Sequence, residues 1–219
     1  MTDLHFACVS ARSEPYAAGP TLLFGLRVEE ADHQPVHAVV LRCQIRIEPQ
    51  ARRYEPEEQG RLGDLFGAPE RWGGTLKPVQ FAHSSLTVPG FEGVADIDLP
   101  VPCTYDTEVA SGTYFRALSG GEVPLLMLFS GTVFSGPQGF HAEPIPWHKE
   151  ARYRMPVGVW QRMMADYFPN SGWLRLRSDC LEELRRFRSD RALPSWELTV
   201  ETLLSEAGKP DEAEEGKLS

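Results

Sequence analysis

Between Val39 and Glu48 the chain alternates without a break. Val39, Leu41, Cys43, Ile45 and Ile47 fall on one side, and Val40, Arg42, Gln44, Arg46 and Glu48 on the other. A period of two gathers the five apolar residues on one face of an extended strand, which no helix can do. A strand with one apolar face must cover it with a second layer. The same alternation recurs in Leu4, Phe6 and Cys8, in Phe24, Leu26 and Val28, over 79–88, and in Gly93, Ala95, Ile97 and Leu99. A strand is also predicted over 105–109. Val123 to Phe134 reads as a fully buried strand, and 140–153 as one or two more. The polar link 29–35 predicts an antiparallel hairpin between the strands on either side of it.

Nineteen glycines and eighteen prolines punctuate these segments, which favours short strands joined by turns. The predicted fold is α+β and predominantly β: an antiparallel β-sandwich over 1–154 with a short helical C-terminal cap. A long, partly helical insertion at about 49–78 interrupts the sandwich, with a helix near Glu57 to Phe66 started by Glu55-Pro56. Residues 110–118 fit either period. Helical spacing begins after Met155-Pro156, where Val157, Trp160, Met164 and Tyr167 share a face. A second helix starts near Ser178, read as its N-cap, and Ser195 caps a third, in which Leu198, Leu203 and Leu204 are expected to pack. Residues 155–206 are expected to pack on the sandwich as its cap, and 207–219 to form a disordered tail.

The net charge of −9 argues against nucleic acid as a partner. The ten basic against six acidic residues from Lys149 to Arg191 read as solvated helix faces rather than an anion site. The longest apolar run, Val123 to Phe129, is too short to span a bilayer. Cys8, Cys43, Cys103 and Cys180 form no CxxC pair. With no signal-like N-terminus, the reading is a cytoplasmic protein with reduced thiols and no membrane insertion.

No phosphate-binding loop, dinucleotide fingerprint, zinc-protease motif or nucleophile elbow is present, so the expectation is a non-enzyme without a cofactor. Three weaker sets of residues remain. Cys103, His141 and His148 are candidate metal ligands, and His33 with His37 a further pair. Asp96 with Asp98, and Asp106 with Glu108, place two carboxylates on one strand face, about 7 Å apart, as a small-molecule enzyme would need. Trp72, Tyr167, Phe168, Asn170, Trp173, Arg175 and Arg177 combine rings with arginines, the mixture that partner interfaces select.

Five stretches carry a family resemblance: LRCQIRIEP (41–49), LFGAPERW (65–72), LPVPCTY (99–105), VPLLMLFSGTV (123–133) and YFPNSGWLRL (167–176). With these the chain resembles a bacterial family of unknown function. The resemblance implies a gene neighbourhood of uptake-type nickel–iron hydrogenases and their maturation proteins. It thereby implies an accessory or assembly role, with a hydrogenase subunit or maturation factor as protein partner, and it carries over no activity and no site residues.

Overall fold

In the computed structural model the described residues are 2–103, 111–136, 141–169 and 176–208. The chain divides into two compact units, Met1–Asn170 and Ser171–Ser219.

The first unit is a sandwich of two antiparallel sheets. Strands β1 (Leu4–Ser13), β2 (Thr21–Glu30) and β5 (Val94–Pro102) form one sheet in the order β1-β2-β5. Strands β4 (Val79–Phe91), β3 (Val36–Ile47), β6 (Glu122–Ser135) and β7 (His141–Pro144) form the other in that order, and β8 (Glu150–Pro156) also pairs with β6. The alternation sorts as expected. Val39, Leu41, Cys43, Ile45 and Ile47 are buried, while Arg42 and Val40 are exposed. Leu22, Phe24, Leu26 and Val28 of β2 are buried too, and Phe6 of β1 stacks on Phe129 of β6 with ring centroids 4.3 Å apart. That stack ties one sheet to the other through the core.

The structure corrects the expected hairpin. β2 pairs with β1 and β5, whereas β3 pairs with β4 and β6, so the link between β2 and β3 crosses from one sheet to the other. The physical reason is coverage. Each strand has one strongly apolar face, and placing the two strands in facing sheets lets each face cover the other. β4 and β5 likewise belong to different sheets, and β4 runs on through Pro89 and Gly90. The chain turns afterwards at Gly93, whose φ of +70° suits glycine.

The 49–78 excursion packs its buried rings onto the same core as the sandwich. Helix α1 (Pro56–Phe66) and the short α2 (Trp72–Thr75) supply Phe66 and Trp72 to a ring cluster in which Tyr54 and Phe66 each meet both Trp72 and Tyr114. Tyr114 lies on α3 (Thr113–Ala117), so the ambiguous 110–118 stretch is helical over its described part until Leu118, which is extended. The neighbouring Phe115 packs edge-on against Phe81 and stacks on Trp160 of α4 (Val157–Tyr167) at 5.0 Å. A buried ion pair closes the assembly. Arg52 donates to Glu58 at 2.7 Å and to the carbonyls of Gly120 and Glu122 at 2.8 Å each. Glu58 also accepts from the Ser119 amide at 2.8 Å and, across the first turn of α1, from the Glu55 amide at 3.2 Å.

The second unit is an α-hairpin of α5 (Ser178–Asp190) and α6 (Trp196–Ala207). Ser178 is the first residue of α5, and its N-cap is Arg177 instead. Ser195 caps α6 as expected, accepting from the Leu198 amide at 3.2 Å. At the turn, Arg188 donates to the carbonyls of Leu193 and Pro194 at 3.1 and 3.2 Å, and its guanidinium lies 4.8 Å from the Trp196 ring centroid.

Candidate functional site

The candidate metal ligands do not converge. Among the described residues no group of three His, Cys, Asp or Glu side chains is placed to hold a metal ion. Cys103 lies just past the end of β5, buried, with its sulfur on the Val101 carbonyl, and burial pushes its thiol up to about 12. His141 opens β7 opposite Ser135 and is exposed, and His148 sits edge-on against the exposed Trp147 ring. Of the second pair, His33 falls in the link between the sheets at φ +52°, and the His37 ring bonds the Gly136 carbonyl at 2.8 Å.

The strand-face carboxylates are exposed and already engaged. Asp96 accepts two bonds from Arg27, at 2.8 and 3.0 Å, and Asp98 accepts two from Arg12, at 3.2 and 2.8 Å. The Arg27 bonds hold the Asp96 carboxyl below its ordinary value. A carboxylate held ionised in a two-bond arginine fork on open surface has neither the raised affinity of a general acid nor the enclosure of a substrate site. Asp106 and Glu108 lie outside the described residues.

Two of the expected partner residues are structural. Trp72 is buried in the aromatic core of the excursion, and its indole donates to the Gly67 carbonyl at 2.8 Å. An insertion of this length must bury rings of its own to be ordered, which takes Trp72 off the surface. The Tyr167 hydroxyl sits between the carbonyls of Glu14 and Ala17, 2.8 and 3.0 Å away, and pins the β1–β2 loop to the end of α4. Phe168 is the C-cap of α4, its amide bonded to the Met164 carbonyl. Arg177 is exposed and pairs with Asp179 at 3.1 Å. Asn170, Trp173 and Arg175 lie outside the described residues. Much of the basic run is matched locally, by Lys149 to Asp3, Arg152 to Glu48, Arg185 to Glu182 and Arg191 to Glu206.

Helix α6 carries an exposed apolar stripe. Trp196, Val200 and Leu204 are four residues apart, so they lie along one helix face, and they are 39%, 43% and 68% exposed. Leu198, expected to pack, is 43% exposed, and Leu204 is the most exposed of the helix's apolar residues. Among the described residues of this unit only Thr199 is buried, and no apolar side chain is. Glu197 and Glu201, each one residue on from a stripe member, border the stripe and are exposed.

One family model spans residues 1–212, the family of unknown function DUF6084. The chain belongs to that family. No curated protein matches it in sequence. Among solved structures, the DUF6084 chain is similar to a putative late embryogenesis abundant protein determined in solution, at 10% identity over 70% of this chain and 72% of that one, with a TM-score of 0.31. It is also similar to part of a β-glucosidase from Paenibacillus barengoltzii, at 13% identity and a TM-score of 0.26, and to part of β-glucosidase 3B from Thermotoga neapolitana, at 11% and 0.25. The chain spans 15% and 17% of those two enzymes, and at such scores none of these likenesses speaks to function. No helix among the described residues of this DUF6084 member is long and apolar enough to cross a membrane.

The α6 stripe had a signal in the sequence. The spacing Trp196, Val200, Leu204 is as regular as that of the buried helix α4. What the spacing lacks is any mark of which face is covered, because a stripe that meets the core and one that meets a partner read alike.

Proposed function

We propose that this protein is a non-enzymatic accessory or assembly protein of the cytoplasm, and that it binds another protein through α6. The supporting observation is the exposed stripe of Trp196, Val200 and Leu204 on a helical unit whose described apolar side chains are at most partly buried. Short helices gain most of their stability by packing an apolar face, and a helix presenting anchors one turn apart fits an apolar groove. Glu197 and Glu201 beside the stripe select a groove with a basic rim. The nickel–iron hydrogenase gene neighbourhood that the family resemblance implies makes a hydrogenase subunit or maturation factor the proposed partner.

The test is affinity capture with the full chain from cells producing the hydrogenase, comparing the wild type with the double variant V200D/L204D. Both positions are exposed, so the variant keeps the melting profile of the wild type. The expected result is a hydrogenase subunit or maturation factor recovered stoichiometrically by the wild type and lost by the variant. Recovery of the same protein by both, or of no stoichiometric partner by either, overturns the reading.

A further inference from the structure

The outer face of the five-stranded sheet carries a depression of about 380 Å³ lined by Arg42, Cys43, Gln44, His83, Ser84, Ser85 and Ser130. That volume suits a small ligand. Strand register explains why these residues meet. Arg42 on β3 is directly opposite Ser85 on β4 and also opposite Ser130 on β6, so the three form one row across the three strands. Side chains in such a row stand roughly 4.5–5.5 Å apart at Cβ, which sets a serine hydroxyl on each side of the guanidinium. His83, opposite Gln44, begins the next row along β3. The Gln44 amide is itself fixed, donating to Gln80 and accepting from Arg46 at 3.2 Å. Gly131, next to Ser130, has a φ of +138°, and a Cβ there would lie 1.9 Å from the Val40 carbonyl. Only glycine lets β6 come this close to β3 beside the depression.

The electrostatics single this place out. The chain has 31 acidic against 22 basic residues, and most of its arginines are claimed by a neighbouring acid or carbonyl. No described residue offers Arg42 a hydrogen bond or an ion pair, and none offers one to the side chains of His83, Ser85 or Ser130. No Asp or Glu lines the depression. The contrast is with the larger depression, about 750 Å³, where Arg52, Arg53 and Arg154 share the wall with Glu55, Glu58 and Glu122 and Arg52 is already saturated on one side by Glu58. A free planar guanidinium with hydroxyl donors on both flanks matches a tetrahedral oxyanion, because the fork engages two oxygens and the hydroxyls reach the others.

We propose that Arg42, Ser85 and Ser130, with His83 at the rim, form a binding site for a phosphate group, either free phosphate or the phosphate of a small monoester. The site lies on the sandwich and is separate from the α6 stripe, so it stands or falls independently of the partner-binding reading.

The experiment is calorimetric titration of the full chain at constant ionic strength with inorganic phosphate and, in a second arm, with a sugar monophosphate. It is paired with amide and arginine-side-chain NMR shifts. The expected result is saturable binding of at least one of the two probes, with shift changes centred on Arg42, Ser85 and Ser130. Arg42→Ala weakens binding about tenfold or more, and Arg42→Lys, which keeps the charge and loses the fork, falls between the two. The S85A/S130A double variant weakens it severalfold. Tighter binding of the monoester assigns the phosphate to a larger molecule, and equal binding assigns free phosphate. Arg42 is exposed, so its variants keep the wild-type circular dichroism. No saturable binding of either probe by about 10 mM, or binding that Arg42→Ala leaves unchanged, overturns the proposal.

Discussion

The sandwich and the α-hairpin that follows it are built on opposite terms. In the first unit both sheets turn their apolar faces inward, and Phe24, Leu26, Leu41, Ile45 and Met127 are wholly buried. In the second, Leu181, Leu184 and Phe187 are only partly buried, and α6 exposes the apolar stripe of Trp196, Val200 and Leu204 beside Glu197 and Glu201. The hairpin relies on local devices: the Ser195 cap, Arg188 over Trp196, and Arg191 over Phe187 with its carboxylate partner Glu206. A unit that leaves apolar surface in water gains little from its own packing and much from a partner's. The contrast teaches that burial is divided unevenly between the two units, with the sandwich holding the fully buried apolar core and the helices leaving apolar surface exposed.

The largest effect that would break this contrast concerns ring burial. Phe129→Ala removes half of the stacked pair with Phe6 and should cost about 3–5 kcal/mol in urea denaturation. Phe187, on α5, is only partly buried, and Phe187→Ala should cost less in the same measurement. Equal losses would mean the hairpin is as well packed as the sandwich.

A second prediction sharpens the comparison through pH. Burial pushes the thiols of Cys43 and Cys103 from 9.0 up to about 12. Between those values the unfolded chain loses protons that the folded chain keeps, so stability is fully present below pH 9 and declines as pH rises toward 12. The slope is about 1.4 kcal/mol per pH unit for each thiol. Denaturation midpoints from pH 8 to 10.5 should fall, and Cys43→Ala should flatten the fall. A midpoint that rises over this interval contradicts the buried-thiol account.

The smallest effect is local. Ser195→Ala removes the acceptor for the Leu198 amide and should cost about 1 kcal/mol, read as faster hydrogen exchange in α6 with unchanged exchange in β3. Faster exchange in β3 as well would show that the two units open together.

How much was legible before the structure depends on how far apart the deciding residues lie. The strand around Leu41, the helix from Pro56 and the Ser195 cap were all readable, because each is settled by neighbours within a few residues. The surroundings of Trp72 were not legible, because its ring packs on Tyr54 and on Phe66, whose own ring meets Tyr114 far along the chain. The partners of Asp96 and Asp98 were not legible, because their arginines, Arg27 and Arg12, come from other strands. The row of Ser85, Arg42 and Ser130 was invisible for the same reason, since its members come from three strands.

By itself, then, the order of residues determined most of the extended and helical segments, though not 110–118, and which face of each is apolar, since these follow from a period read along the backbone. Tertiary structure alone decided that β2 and β3 part into different sheets, which charges find partners, and which apolar faces stay in water. Those outcomes depend on strand register and on contacts between distant residues, and a periodic pattern specifies that a face needs cover without saying what covers it.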